Sequence, residues 1–365
     1  MNEPGNEVAA GAAEGVTVDT QEIEAAVVQE RIPGTTYPRK SEEAEQTGSS
    51  LGRIMLFAGS GSTELGAEIA AELDVPLGRY TRTIFPNENI FIQLKESVRG
   101  QDVYVVTSFG TPVHENIFEL LIMIDTLKRD SAGRINVVVP YLAYARSDKK
   151  DQPRVGIAAR LLANMLEVAG ADRYITIDLH AGQIQGFFNI PGDALKAFHL
   201  MSDYVRTKNI PDLVVVATDL GFAKKGRDWA EKLSTQLGII EKRRTGNDST
   251  SEALSLIGEV KGKNVLLVDD EVLTGGSVVN AVNLMRDEGA EDVYLAFTHA
   301  VLAGNAVQRL ADLRLKEIIT TNTLNIPEEK RKVLPNMTVL SVAPLLGAVI
   351  KRAHKGMSVG ELFNE

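Results

Sequence analysis

One short run of the sequence combines carboxylates, hydroxyls and glycines directly after an apolar stretch. The run consists of Asp269, Asp270, Glu271, Val272, Leu273, Thr274, Gly275, Gly276 and Ser277. Adjacent carboxylates accept hydrogen bonds well, including those from neighbouring sugar hydroxyls. Two glycines let the backbone approach an anion closely, and the N-terminus of a following helix attracts phosphate. An ordinary turn with solvated acids is the alternative, but the complete order favours a site for a phosphorylated sugar.

Basic and metal-binding residue types occur at two further points. Lys242, Arg243 and Arg244 follow the apolar stretch Leu237–Ile240 and precede a polar, glycine-containing segment, which predicts a mobile loop after a strand. His180 directly follows another apolar stretch. A basic triplet is most often a solvated surface, and a lone histidine is most often a structural residue. Neither feature therefore assigns chemistry by itself.

Short apolar runs alternate with segments of helical periodicity from residue 54 onward. The predicted strands are Ile54–Phe57, Val103–Thr107, Ile135–Pro140, Tyr174–Asp178, Leu213–Ala217, Val265–Asp269, Val293–Thr298 and Ile318–Asn322. The predicted helices include Asn116–Arg129, Ala158–Ala169, Ala223–Leu237 and Gly276–Glu288. Repeated alternation of strand and helix predicts parallel sheets covered by helices. Ligands bind beyond the carboxyl ends of strands in such sheets, which is where the acidic run and His180 are placed.

The number of strands is too large for one sheet of ordinary width. The chain is therefore predicted to contain two α/β domains, residues 52–199 and 200–351. Residues 1–51 are predicted to form an acidic, disordered extension, because the first fifty carry ten acidic and three basic residues and no long apolar run. A helix over Val16–Ile32 that packs on a partner is the alternative for part of this extension.

Composition excludes several classes of function. The chain has no cysteine, which rules out disulfides, thiolate metal sites and a cysteine nucleophile. The net charge of −10 argues against general nucleic-acid binding, although it does not exclude local phosphate sites. No apolar run of about 18 residues and no signal peptide is found, so we expect no membrane association and a cytoplasmic location.

The acidic run resembles the phosphoribosyl-pyrophosphate (PRPP) binding motif of type I phosphoribosyltransferases. The wider chain resembles the ribose-phosphate pyrophosphokinases, or PRPP synthetases. The stretches that carry this second resemblance are Glu119–Ile124, Pro140–Lys150, Ile177–Pro191, Glu241–Arg244 and Met357–Phe363. They stand in the order and spacing of that family, and the resemblance covers the chain from about Ile54 onward. The sequence is identified as a member of the family on this resemblance.

The resemblance implies a fold and a reaction. The fold is α/β, with two tandem type I phosphoribosyltransferase-like domains, each a mainly parallel sheet flanked by helices. The implied enzyme is a Mg²⁺-dependent ribose-phosphate diphosphokinase, which transfers pyrophosphate from ATP to the 1-hydroxyl of ribose 5-phosphate and forms PRPP and AMP for nucleotide biosynthesis. ATP binds mainly to the first domain and ribose 5-phosphate to the second. Residues 352–365 return to the first domain, and the chain forms a dimer-based homo-oligomer, which in this family extends to a hexamer.

The resemblance also implies roles for individual residues. The catalytic pair is Lys242 and Arg244. The ATP site comprises Phe85, which stacks on adenine, and Asn87, Glu88, Asn89, Arg146, Ser147 and His180. The ribose 5-phosphate site comprises Arg244, Asp269, Asp270, Leu273, Thr274, Gly275, Gly276 and Ser277. The metal partners are His180 and Asp219, and Asp178 is expected to orient His180.

Several positions depart from the family's pattern. Leu273 stands where the phosphate loop usually has an aspartate, Ser277 replaces a threonine, and Asn89 replaces an acid on the adenine side. The catalytic cations and the paired aspartates are retained, so an active enzyme is predicted. One alternative is a non-catalytic regulatory subunit of the same family, which Leu273 and the acidic extension favour. The other is a type I phosphoribosyltransferase, which needs only one such domain.

Overall fold

The computed structural model describes residues 51–244 and 252–362, with residues 242–244, 252 and 253 described by their backbone alone. The extension predicted over residues 1–51 lies outside these ranges except for Leu51. The helix predicted over Val16–Ile32 and most of the polar segment that follows Arg244 also lie outside the described residues.

Two sheets with covering helices form the described part of the chain. The strands are β1 (Ile54–Ala58), β2 (Tyr80–Ile84), β3 (Ile90–Leu94), β4 (Asp102–Val106), β5 (Arg134–Val139), β6 (Arg173–Ile177), β7 (Gly192–Leu195), β8 (Leu213–Ala217), β9 (Gln236–Arg244), β10 (Glu252–Ile257), β11 (Asn264–Val272), β12 (Val293–Ala300), β13 (Ile318–Thr321) and β14 (Met337–Leu340). The helices are α1 (Thr63–Leu73), α2 (Val113–Arg129), α3 (Ala158–Ala169), α4 (Phe198–Thr207), α5 (Ala223–Leu233), α6 (Gly276–Asp287), α7 (Ala306–Asp312), α8 (Glu328–Val333) and α9 (Ala343–His354). None of the helices in the described ranges is long and apolar enough to cross a membrane.

Strand pairing divides the chain into two parallel sheets. The first sheet has the order β1-β4-β5-β6-β7, and all its neighbouring strands are parallel. The second sheet has the order β10-β9-β8-β11-β12-β13-β14, and only β10 pairs antiparallel. The strands β2 and β3 form a separate antiparallel hairpin. Parallel neighbours require crossover connections, and most of these connections contain the helices that cover the sheets. The predicted fold class is confirmed.

All eight predicted strands are present, but β11 is longer than predicted. It runs to Val272 because its pairing with β12 continues through Glu271 and Val272. Asp269 and Asp270 therefore lie within the strand and not on the loop that follows it. Their backbone is held by neighbouring strands, which gives their carboxylates a more rigid support than a loop would.

Two other local predictions are wrong. The helix predicted over Ala223–Leu237 ends at Leu233, where Ser234 adopts a left-handed backbone with a φ of 53°. The segment Lys242–Arg244, predicted as a loop, continues β9. It stays extended because β10 pairs with its backbone, residue for residue.

One apolar core joins the two sheets. It contains Leu56 and Tyr104 from the first sheet, Val215 and Leu266 from the second, and Leu346 from α9. Each half also has its own core on the opposite face of its sheet. Close packing of this kind keeps the loops of the two halves in a defined relation.

The predicted domain limits stay a prediction, and the limit between residues 199 and 200 falls inside α4.

Candidate active site

A hydrogen bond between His180 and Asp270 joins the carboxyl ends of the two sheets. His180 follows β6, and its Nδ1 lies 2.7 Å from Oδ2 of Asp270 in β11. The side chain of Asp270 is only 7% exposed, whereas that of His180 is 40% exposed. The hydrogen bond to Asp270 raises the pKa of His180. Two residues that are 90 positions apart in the sequence, and that were predicted for different substrates, therefore meet at one point.

Asp269 and Asp270 have different environments although they are neighbours. Oδ2 of Asp269 accepts a hydrogen bond from Oγ1 of Thr218 at 2.8 Å, and its Oδ1 accepts one from the N–H of Asp270 at 2.8 Å. Burial, and then the charge of Asp270, raise the pKa of Asp269 to about 7. Burial also opposes the ionisation of Asp270, but the hydrogen bond from His180 outweighs it and lowers the pKa of Asp270. The pair thus combines one carboxylate whose ionised form is stabilised with one carboxyl group whose ionisation is opposed by burial.

Asp178, which was expected to orient His180, contacts the second half of the chain instead. Its Oδ2 accepts a hydrogen bond from Oγ1 of Thr298 at 2.6 Å and another from the N–H of Ala197 at 3.1 Å. The described partner of the His180 ring is Asp270. Asp178 therefore joins the end of β6 to β12, and Asp270 of β11 is the residue that orients the histidine.

The loop after β11 leaves the N-terminus of α6 open. Gly275 precedes the helix with a φ of 76°, a conformation that residues with a Cβ rarely adopt, and no side chain caps the first turn. Nη1 of Arg309 donates to the carbonyl of Thr274 at 2.9 Å, which steadies the loop and brings a positive charge beside it. Open N–H groups, the helix dipole and the nearby cation fit a phosphate group. Leu273 is 37% exposed and supplies no charge.

The loop after β5 carries Arg146 to the same region. Nε of Arg146 forms an ion pair with Glu271 of β11, and 53% of the arginine side chain is exposed. Ser147, predicted to contact ATP, accepts a hydrogen bond from the N–H of Ala158 at 3.3 Å, at the start of α3. Arg146 is therefore available to an anion, whereas Ser147 supports a helix.

The predicted adenine-binding residues form the turn between β2 and β3. The turn consists of Phe85, Pro86, Asn87, Glu88 and Asn89. Phe85 is 42% exposed, so it is not a core residue. The hairpin is anchored to α2, because Nε of Arg82 lies 2.9 Å from Oε2 of Glu119. Among the described residues, no hydrogen bond or ion pair connects this turn with His180 or Asp270.

The predicted metal partner Asp219 follows β8. Its Oδ1 accepts a hydrogen bond from the N–H of Phe222 at 2.8 Å. In the described ranges, no three histidine or carboxylate side chains are grouped closely enough to hold a metal ion by themselves. Mg²⁺ is commonly held by one or two carboxylates together with substrate phosphates. His180 and Asp219 stay predictions as metal partners, and both carry ligand types that could contact a cation brought in by a phosphorylated substrate.

Sequence reasoning missed several side chains that support this site. They are Thr218, Lys225, Glu271 and Arg309. Lys225 lies in the first turn of α5, where its Nζ donates to the carbonyl of Leu179 at 3.3 Å and its charge lowers the pKa of Asp270. Lys225 could have been predicted as a site residue, because it follows the predicted metal partner Asp219 by six positions. No sequence pattern pointed to Arg309, because this residue reaches the site only through the packing of α7 beside the loop after β11.

The fold and the phosphate loop define a phosphoribosyltransferase-like α/β protein, and known proteins give its family. The N-terminal domain of ribose phosphate pyrophosphokinase matches residues 54–170, and the phosphoribosyl synthetase-associated domain matches residues 249–364. A ribose-phosphate pyrophosphokinase of Oceanobacillus iheyensis is 44% identical over 311 residues, which cover 85% of this chain and 97% of that protein. The chloroplastic ribose-phosphate pyrophosphokinase 1 of Arabidopsis thaliana is 44% identical over 314 residues, or 85% and 77% of the two chains.

A solved structure agrees with these relatives. The crystal structure of phosphoribosylpyrophosphate synthetase from Mycobacterium smegmatis matches with a TM-score of 0.79 and 44% identity, and the match covers 84% of this chain and 100% of that one. The chain therefore belongs to the ribose-phosphate pyrophosphokinase family. It is a transferase of nucleotide biosynthesis, of the ribose-phosphate diphosphokinase class. The family and the enzyme class predicted from the sequence are confirmed.

Proposed function

We propose that this enzyme transfers the pyrophosphoryl group of ATP to the 1-hydroxyl of ribose 5-phosphate in the presence of Mg²⁺, and forms PRPP and AMP. The hydrogen bond between His180 and Asp270 carries the proposal, because it puts a predicted ATP-side residue against the predicted sugar carboxylates. The names of the relatives support PRPP synthesis. ATP as donor, Mg²⁺, AMP as product and a cytoplasmic location belong to the proposal.

The chain's own residues would first fix the sugar phosphate. The open N-terminus of α6, with the hydroxyls of Thr274 and Ser277, binds the 5-phosphate. Asp269 and Asp270 accept hydrogen bonds from ribose hydroxyls and orient the ring. The 1-hydroxyl oxygen then bonds to the β-phosphorus of ATP and loses its proton to solvent. The bond from that phosphorus to the α-phosphate oxygen breaks, and AMP leaves. Such transfers depend mainly on positioning and on stabilisation of charge.

Cations around the migrating group supply that stabilisation. Arg146 would supply one charge from the first half, and Lys242 and Arg244, in β9, would supply two more. His180 and Asp219 would hold Mg²⁺, which would neutralise further charge on the phosphate oxygens. Phe85 and the turn residues Asn87, Glu88 and Asn89 bind the adenosine. We place this turn at the nucleotide of a neighbouring copy in a dimer-based homo-oligomer, since no described polar contact joins it to the site of its own chain.

One assay tests the proposed function. The purified full chain is incubated with ATP, Mg²⁺ and ribose 5-phosphate, and AMP and PRPP are measured over time. Equal amounts of the two products, and their loss when EDTA removes the metal, are expected. A Lys242→Ala variant is the background control. Absence of AMP above that control would contradict the proposal and favour a non-catalytic subunit, whereas consumption of added PRPP with a nucleobase would favour a phosphoribosyltransferase.

Replacing Asp270 with asparagine is expected to raise KM for ribose 5-phosphate about 10- to 100-fold. Asparagine keeps the shape but loses the charge, and a hydrogen bond to a charged group contributes about 1.5–3 kcal/mol. The matched control is Asp287→Asn, at an exposed position at the end of α6. Steady-state kinetics with ribose 5-phosphate as the varied substrate give the measurement. An equal KM for both variants would exclude Asp270 from sugar binding.

A further inference from the structure

Glu271 is a buried acid beside the sugar carboxylates, and the proposed reaction leaves it without a role. It lies in β11, and only 6% of its side chain is exposed. A buried carboxylate keeps its charge only when other groups pair with it or donate hydrogen bonds to it. The partners of Glu271 therefore indicate what it does.

One side chain from the first half pairs with Glu271, and a second lies beside it. Nε of Arg146 forms an ion pair with Oε1 of Glu271. Tyr141 and Glu271 line the same small cavity. Burial, and then the charge of Glu271, raise the pKa of Tyr141, so the Tyr141 hydroxyl stays protonated beside this carboxylate. Both side chains belong to the loop after β5. Glu271 thus connects the strand that carries the sugar carboxylates with the loop that carries the ATP-side arginine.

The ion pair leaves most of the guanidinium available. Arginine has five N–H donors in a planar fork, and a contact through Nε leaves the terminal amino groups for another anion. The Arg146 side chain is 53% exposed, so an anion from solvent can approach it. A long side chain that is already held in place loses less conformational freedom when a phosphate binds.

We infer that Glu271 is a positioning residue for ATP, which acts by holding the Arg146 guanidinium where the nucleotide phosphates bind. The inference rests on the proposed function, because it takes ATP as the anion. The affinity for ATP then depends on Glu271 of β11, although Glu271 acts on the nucleotide only through Arg146.

A cycle of four proteins tests this inference: the wild type, Glu271→Met, Arg146→Ala and the double variant. ATP is titrated with Mg²⁺ by calorimetry in the absence of ribose 5-phosphate. Glu271→Met is expected to raise the Kd for ATP about tenfold, the order that one unrestrained arginine side chain predicts. The double variant should bind no more weakly than Arg146→Ala alone. Glu271→Gln keeps a hydrogen-bond acceptor and should restore the Kd to within about threefold of the wild type.

The controls separate positioning from general damage. Glu288→Gln, at an exposed position after α6, should leave the Kd unchanged. If Glu271→Met does not fold, Glu271→Asp, which is too short to reach Arg146 in the same way, replaces it in the cycle. The inference is overturned if the increases in Kd of the two single variants multiply in the double variant. It is also overturned if Glu271→Met binds ATP as tightly as the wild type or more tightly. If the four proteins show the expected Kd values for ATP but the wild type forms no PRPP, the proposed function is contradicted and the inference about Glu271 is not.

Discussion

Replacing Lys242 with alanine is expected to lower kcat about a thousandfold, with little change in KM for either substrate. Pyrophosphoryl transfer spreads negative charge over the migrating group, and a cation that meets this charge mainly in the transition state affects kcat more than binding. Removal of one such group typically costs about 10²- to 10³-fold, and removal of an arginine finger costs about 10³-fold or more. Arg244→Ala is expected to lower kcat to a similar extent and also to raise KM for ribose 5-phosphate, because Arg244 is assigned to the ribose 5-phosphate site as well.

The backbone of β9 supports this role for Lys242. The last pair between β8 and β9 is Ala217 with Ile239, and β9 continues to Arg244 with β10 as its partner. At about 3.3 Å per residue, the β9–β10 hairpin extends roughly 16 Å beyond the end of β8. That end leads directly to Asp219, on the edge of the sheet where ligands of α/β proteins bind. The hairpin therefore carries the backbone of Lys242 beyond the carboxyl end of β8.

The control for this prediction is another lysine of the same half. Lys261 is exposed and precedes β11, at the opposite edge of the sheet. Lys261→Ala should change kcat less than about twofold. Kinetics with each substrate varied in turn, and thermal melting of all variants, complete the measurement. A folded Lys242→Ala enzyme with kcat within tenfold of the wild type would exclude Lys242 from the transfer step.

Replacing Asp102 with asparagine is expected to lower the free energy of unfolding by about 3–5 kcal/mol at neutral pH, the usual effect of removing one partner of a buried ion pair. The Asp102 side chain is completely buried at the start of β4. It accepts hydrogen bonds from Nη2 of Arg134 at 2.7 Å and from Nδ2 of Asn136 at 2.9 Å, and it lies 2.8 Å from Nδ1 of His354 at the end of α9. One carboxylate thus holds the C-terminal helix against the first sheet.

The pH dependence follows from the pKa of Asp102. Burial alone would raise this pKa, but hydrogen bonds from Arg134 and His354 outweigh burial, and the pKa is lowered. A carboxylate with a lowered pKa in the folded state stabilises the protein above its unfolded pKa, and the contribution is lost as the pH falls through the folded value. The difference in unfolding free energy between the wild type and Asp102→Asn should therefore shrink as the pH falls from 7 towards 3.

Urea unfolding followed by tryptophan fluorescence measures this effect. Trp229 is the single tryptophan of the chain, and it is buried in the core that both sheets share. The control is Asp125→Asn, because Asp125 forms an exposed pair with Arg129 one turn along α2. Exposed pairs of this kind contribute about 0.3–0.5 kcal/mol. Two results would exclude this role of the Asp102 carboxylate. One is a similar loss of unfolding free energy in the two variants, and the other is a loss in Asp102→Asn that does not depend on pH.

Local patterns predicted the repeated elements well and their ends less well. The strands were found because continuous apolar runs bounded by turn residues are typical of buried parallel strands. The ends of β11 and β9 were misplaced because pairing with a neighbouring strand carried polar residues into the sheet. Polar residues such as Glu271 and Lys242 indicate a loop when they are read without their partner strands.

The sequence by itself determined the fold class, through its alternation of apolar runs and helical periodicity, and the family, through its resemblance to the ribose-phosphate pyrophosphokinases. Only the tertiary structure decided which side chains meet. His180 and Asp270 are 90 residues apart, Asp102 and His354 are 252 apart, and each pair forms because sheet order and a shared core bring distant strands together. The hydrogen bonds in each pair then outweigh burial and lower the pKa of Asp270 and of Asp102.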